Sequence, residues 1–236
     1  MKFLVLARLR ERWRAKRDGE GLLVEHPILN AIRAQGFTPL GWFASDEQPF
    51  TILIGNVGLD MFRRFATQRD ERVASLDEWT KAVVDSLAAT LGAKAVYPFD
   101  VPYPPFLTWA RKAGAGHVSP LGLNIHRQYG LWHAYRAALL FPVEFDLPRN
   151  SAGAHPCESC VGKPCLAACP VSAFDGVRYD VAACGQHILS TAGEDCMGGG
   201  CKARLACPVG RDYVYHPRQM QFHMRAFQAA REKELE

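Results

Sequence analysis

CESCVGKPCLAACP at residues 157–170 and CGQHILSTAGEDCMGGGCKARLACP at residues 184–208 decide how the whole chain is read. These two runs contain all eight cysteines of a 236-residue chain, and each ends in Cys-Pro. The 156 residues ahead of them contain none. A thiolate is a soft anionic donor, and each iron of a cubane cluster holds three sulfides and needs one such donor to complete its tetrahedron. Eight thiolates in two short loops therefore match two 4Fe-4S clusters.

In two-cluster ferredoxins the cysteine before the proline crosses to the other cluster. That rule assigns Cys157, Cys160, Cys165 and Cys207 to one cluster, and Cys169, Cys184, Cys196 and Cys201 to the second. The spacing departs from the plain ferredoxin pattern. Residues 161–164 separate Cys160 from Cys165, and residues 202–206 separate Cys201 from Cys207, where two and three residues are usual. Two other uses of the cysteines stay open. Zinc also takes four thiolates tetrahedrally, and Cys157 with Cys160 suits either metal. A disulfide framework fits worse, because such scaffolds are small secreted chains with cysteines spread throughout.

The length allows one domain of about 150 residues with its own core and a smaller appended module. The expected boundary lies in the linker over residues 146–155, marked by Pro148, Asn150, Ser151 and Gly153, giving domains 1–150 and 151–236. With 28 Lys and Arg against 24 Asp and Glu, the net charge is a modest +4 and the signs are interspersed, which argues against nucleic acid as a partner. No uninterrupted apolar run reaches the roughly 18 residues of a membrane span. The opening MKFLVLARLRERWRAKR lacks the longer apolar region and small-residue cleavage site of a secretory signal, so the expected location is the cytoplasm, where thiols stay reduced.

Along the first half, helices alternate with strands. Residues 4–17 read as a basic helix with a solvated face. LLVEHPILNAIRAQGF reads as a helix with Ile28, Leu29, Ile32 and Phe37 on its apolar side, ended by Gly36. TPLGWFA and FTILIGNVG read as half-buried strands, and residues 59–65 as a second helix. The clearest helix is 75–91, with Ser75 as N-cap, Glu78 completing a capping box and Gly92 beyond its end. AKAVYPF is expected as a short buried strand, residues 106–112 as a helix, GAGHVSPLGLNI as a Gly-rich connection, residues 135–145 as a strand, and the stretch from Pro217 onward as a charged helix. The class this pattern supports is an α/β or α+β sheet domain.

The segment GLNIHRQYGLWHAYRAALLFPVEFDLP, residues 122–148, resembles the matching segment of the CblC cobalamin-processing family: an Ile-His pair, an aromatic-Gly-x-Trp, an Ala-x-Arg and an apolar strand ending at Pro. LIGNVGLDMFRRF also looks like a CblC segment. Followed by a double-cluster module, the region is similar to epoxyqueuosine reductase and the reductive dehalogenases as well. The resemblance implies an α+β fold, a nitroreductase-like sheet domain followed by a two-cluster ferredoxin-like domain, with a corrinoid held over the sheet. It points to His126, Tyr129, Gly130, Trp132 and Arg136 as cofactor-binding residues, with Arg136 matching an arginine associated with the thiol substrate, glutathione. The bland reading beside it makes Tyr129 and Trp132 core and Arg136 a structural ion-pair residue. Departures bear on the reaction. There is no room for the further C-terminal repeats of epoxyqueuosine reductase, which disfavours tRNA-nucleoside reduction; dehalogenases commonly carry an export signal; and CblC proteins usually lack clusters.

Three functions compete at this stage. One is a cobalamin-binding reductase that removes the upper ligand, fed by a redox-donor protein. Another is a ferredoxin-type electron carrier that docks a partner and does no chemistry itself. A third is a flavin-dependent reductase of some other small organic substrate.

Overall fold

The computed structural model of the chain describes residues 26–45, 48–69, 75–148 and 153–234. The basic helix expected over residues 4–17 lies outside them. The fold is mixed α+β, and its described residues form two compact units.

The first unit comprises residues 26–56, 63–114 and 134–148. Helix α1 (Pro27–Ala34) starts where the His26 side chain accepts a hydrogen bond from the Ile28 amide and Pro27 takes the first helical position, which needs no donor. It buries Ile28, Leu29 and Ile32. Strands β1 (Thr38–Ser45) and β2 (Gln48–Val57) follow, and α2 (Asp60–Gln68) leads to α3 (Leu76–Leu91). Ser75 and Glu78 close the capping box on α3 reciprocally, at 3.1 Å and 3.0 Å. Then come β3 (Lys94–Val96), α4 (Phe106–Lys112) and, later in the chain, β6 (His133–Phe141).

The sheet order is β1-β2-β6-β3, with β1 antiparallel to β2 and β3 antiparallel to β6. Thr51, Ile52, Leu53 and Ile54 are all fully buried. Successive strand residues face opposite sides, so β2 is a central strand covered on both faces and not the half-buried strand that composition suggests. Gly55 permits close approach to β6, because a Cβ there would lie 2.0 Å from the Ala134 carbonyl oxygen. The expected buried strand at AKAVYPF is instead the sheet's edge: Lys94 is exposed and Ala95 and Val96 are only half-buried. What holds it is Tyr97, buried and hydrogen-bonded through its hydroxyl to Asp85 of α3 at 2.6 Å. Strand β6 starts and stops earlier than residues 135–145, since Pro142 has no amide to continue the ladder. Phe37, Phe65 and Trp79 form a ring cluster, with centroids 5.8 Å and 5.7 Å from the Trp79 ring.

The second unit comprises residues 57–62, 115–133 and 153–234. It holds a two-stranded ribbon, β4 (His117–Val118) with β5 (Asn124–Ile125), inside the stretch that reads from sequence as a Gly-rich connection. Four short helices carry or adjoin the cysteines: α5 (Pro164–Ala167), α6 (Val181–Ile188), α7 (Glu194–Gly199) and α8 (Lys202–Leu205). Helix α9 (Pro217–Glu232) packs on α7. Leu121, Ile125 and Leu131 form one apolar cluster with Cys165, Ala173, Phe174, Ala203 and Cys207. The sequence boundary near residue 150 groups 115–133 with the sheet, whereas here they pack with the cysteine loops, which are too short to bury a core by themselves. No helix among the described residues is long and apolar enough to cross a membrane.

Candidate iron-sulfur centre

All eight cysteines are free. Local backbone chemistry explains how the lengthened spacings deliver them. Between Cys160 and Cys165 the chain takes two left-handed residues, Gly162 at φ 73° and Lys163 at φ 39°, and so brings Pro164 to the first position of α5, which carries Cys165. Between Cys201 and Cys207 the extra residues are a helical turn, α8. Asp180 caps α6 by accepting from the Ala183 amide at 2.8 Å, which fixes the helix that carries Cys184.

The thiols interact in two groups. Burial pushes the Cys157 thiol up to about 11, and the neighbouring Cys207, Cys165 and Cys160 add to the effect while Lys163 opposes it. Burial also raises Cys165 and Cys207, with Cys207 and Cys160 acting on the former and Cys160 on the latter. In the other group burial raises Cys184, Cys196 and Cys201; Cys169 and Cys196 act on Cys184, Cys169 on Cys196, and Cys184 on Cys201. Each group takes three cysteines from one run and one from the other. Among the described residues, no group of three or more His, Cys, Asp or Glu is drawn together tightly enough to hold a single metal ion.

The second group borders a hollow of about 300 Å³. Tyr179 lines it, stacked on Phe174 at 4.5 Å, and burial beside Cys184 holds its hydroxyl well above the usual phenol range. His187 Nε2 lies 3.8 Å from Cys196 Sγ, and the Ala173 amide donates to Cys169 Sγ at 3.3 Å. Neither Tyr179 nor His187 stood out in the sequence; their only signal was position, within three to five residues of Cys184.

The residues singled out at 126–136 divide between the units. His126, Tyr129, Gly130 and Trp132 lie in the second, Arg136 in the first. His126 Nδ1 accepts from the amides of Gln128 and Tyr129 at 3.1 Å and 3.2 Å, and burial beside Arg127 holds its imidazole down to about 4. Tyr129 stacks on His126 at 4.4 Å and meets Tyr213 edge-on at 4.9 Å. Gly130 has φ 57°, and a Cβ there would lie 2.0 Å from the Val209 carbonyl oxygen, so the segment just past Cys207 rests directly on this glycine. Trp132 is 1% exposed. The Arg204 guanidinium lies 4.7 Å from its ring and 4.6 Å from the Tyr215 ring, and donates through Nε to the Leu131 carbonyl at 3.0 Å. Sequence reasoning missed Arg204, which sits among the extra residues between Cys201 and Cys207. Beside this segment, His133 is buried, with Nδ1 3.1 Å from the Gly130 carbonyl and Nε2 3.2 Å from Asn124 Oδ1; burial and the nearby His126 hold its imidazole down to about 3. Arg136 donates through Nε to Asn56 at 3.1 Å and pairs with Asp77 at 3.5 Å.

A second hollow, of about 870 Å³, lies in the sheet unit and is lined by Trp42, Phe43, Phe50, Lys112, Glu144 and Phe145 among others. None of the five residues singled out at 126–136 lines it.

No protein-family model matches the chain, and no curated protein matches it in sequence. Solved structures do. Epoxyqueuosine reductase from Streptococcus thermophilus superimposes with a TM-score of 0.51 at 15% identity, over 80% of this chain and 67% of that one. A selenomethionine-labelled epoxyqueuosine reductase gives 0.49 at 14% identity over 94% and 69%. The C. elegans B12-trafficking protein CblC gives 0.48 at 15% identity over 87% and 93%. At these identities the likeness to the Streptococcus enzyme is one of fold.

Proposed function

We propose that the chain is an iron-sulfur oxidoreductase that binds a corrinoid and reduces or processes it, removing the upper ligand with electrons passed through two 4Fe-4S clusters. The observation that supports this reading is eight free thiols within one compact unit, four of which, Cys169, Cys184, Cys196 and Cys201, line one hollow. The donor set suits the group: four thiolates per cube, with Cys157, Cys160, Cys165 and Cys207 for one and Cys169, Cys184, Cys196 and Cys201 for the other. Bound there, the clusters supply one-electron transfer. The protein's part is to carry Cys165, Cys184 and Cys196 on short helices and the other five cysteines on the turns beside them, with six of the eight packed in or against the apolar cluster of Leu121, Ile125 and Leu131. The corrinoid half of the reading rests on the resemblance of residues 122–148, and the fold likeness to an epoxyqueuosine reductase favours a reductase. Of the five residues expected to bind the corrinoid, His126, Tyr129 and Arg136 are only half-buried and so remain reachable.

A ferredoxin-type carrier with no chemistry of its own is the second reading. It is favoured by the protein contacts already made by Trp132, Gly130 and Arg136. Titration of the anaerobically reconstituted protein with cyano- or methylcobalamin separates the two. The corrinoid reading expects a changed cobalt absorption spectrum and, with reductant, loss of the upper ligand. Unchanged spectra leave the electron carrier.

A further inference from the structure

Glycines flank two of the cysteines expected to share a cluster: Gly185 follows Cys184, and Gly198, Gly199 and Gly200 precede Cys201. Helix α9 comes down beside them. A Cβ at Gly200 would lie 2.8 Å from Met220 Sδ, one at Gly185 would lie 3.3 Å from the Arg231 side chain, and the Gly198 carbonyl accepts from Gln221 Nε2 at 3.1 Å. A side chain at 200 would hold the helix off and one at 185 would crowd it, whereas glycine lets it close. Between these points Met224 and Phe227 line the same hollow as Cys169, Cys184, Cys196 and Cys201. Met220, Met224, Phe227 and Arg231 recur at steps of four, three and four residues, which places them on one face of the helix. The Arg231 guanidinium lies 5.2 Å from the Phe227 ring and steadies it. Phe222, on the opposite side of the helix, packs on Phe62 with ring centroids 5.4 Å apart.

The two sets of thiols are not closed alike. Six cysteines pack in or against the cluster of Leu121, Ile125 and Leu131, and the two outside it are Cys160 and Cys196, one from each set. Cys160 is followed by Val161, which is 94% exposed. Cys196 is 5% exposed, on α7, a helix against which α9 packs. An apolar shell around a metal centre controls the access of solvent to it. Resting on the iron-sulfur reading above, we propose that α9 is the outer wall of the centre at Cys169, Cys184, Cys196 and Cys201, with Met224 and Phe227 closing the hollow and keeping water, oxygen and chelators from the cluster held there. The centre at Cys157, Cys160, Cys165 and Cys207 is closed by other elements and does not depend on that wall.

The test is anaerobic release of iron from the reconstituted full chain to bathophenanthroline disulfonate, followed by iodoacetamide labelling of the freed thiols and peptide mass spectrometry. Phe227→Ala and Met224→Ala each open the wall, and Arg225→Ala, on the exposed side of the same helix, is the control. In both wall variants about half of the iron, one cube of the two, should leave several-fold faster than in the unaltered protein. The thiols labelled as it leaves should be Cys169, Cys184, Cys196 and Cys201. Phe227→Leu, which keeps apolar bulk in the wall, should release iron more slowly than Phe227→Ala, and Arg225→Ala should match the unaltered protein. A wall variant purified with that half already missing is the same outcome carried further. An eight-iron variant whose iron leaves no faster, or whose early label falls on the Cys157 set or on all eight cysteines alike, overturns the wall and leaves the iron-sulfur reading standing. Purification with zinc and almost no iron removes both.

Discussion

Trp132 shows how one residue supports opposite readings until its neighbours are known. As a bare indole near a Gly it suggests a plate for a flat ligand, and its resemblance context strengthens that. In the structure it is 1% exposed, with Arg204 against its ring and Tyr215 edge-on at 5.4 Å. Such a ring contributes mainly by burial, so Trp132→Ala should destabilise the protein by about 3–5 kcal/mol, read as a lower urea midpoint. A variant of unchanged stability would return Trp132 to the ligand. His133 makes a prediction in pH. Its imidazole is held down to about 3 in the fold, against about 6.5 in an unfolded chain. Below about pH 6.5 the unfolded chain therefore binds a proton that the folded one refuses, so the stability owed to His133 is complete above that pH and declines as pH falls towards 3. Between about pH 7.5 and 5.5 the urea midpoint should fall, and should fall less in His133→Gln. Equal slopes would show that His133 is not the source. The Trp132 environment was not legible in sequence, because Arg204 lies 72 positions away along the chain and only folding brings it to the ring.

Elements were legible where a local rule sufficed. The helix Leu76–Leu91 was marked by Ser75, Glu78 and Gly92, and all three act as their chemistry dictates, with Gly92 in the left-handed conformation at the C-cap. Ser75→Ala should cost about 1 kcal/mol, measured by thermal or urea unfolding, and no change would mean that the helix end is held by tertiary contacts alone. Helix Phe106–Lys112 also matches its expected bounds. Elements set by neighbours were not legible. Whether AKAVYPF is central or at an edge depends on which strands flank it, and the Tyr97–Asp85 bond that pins it spans 12 positions. Helix Lys202–Leu205 occupies the lengthened spacing between Cys201 and Cys207, while the one between Cys160 and Cys165 turns through the left-handed Gly162 and Lys163 into the helix Pro164–Ala167, so each departure from the ferredoxin pattern has its own local backbone cause.

For the whole molecule, the informative feature of the sequence was the concentration of every cysteine in two runs, each ending in Cys-Pro. Which residues share the cysteines' unit was not readable. The wall of Leu121, Ile125 and Leu131 lies ahead of the first cysteine, and nothing local announces that it packs there and not on the sheet. Gly130 lies directly beneath Val209, where a Cβ would meet the carbonyl oxygen at 2.0 Å. The central claim is that these loops close on two four-iron cubes, and it is tested most directly by counting metal and acid-labile sulfide in the chain purified without oxygen. The account predicts about eight iron and about eight sulfide per chain. About two zinc with almost no iron or sulfide would contradict it.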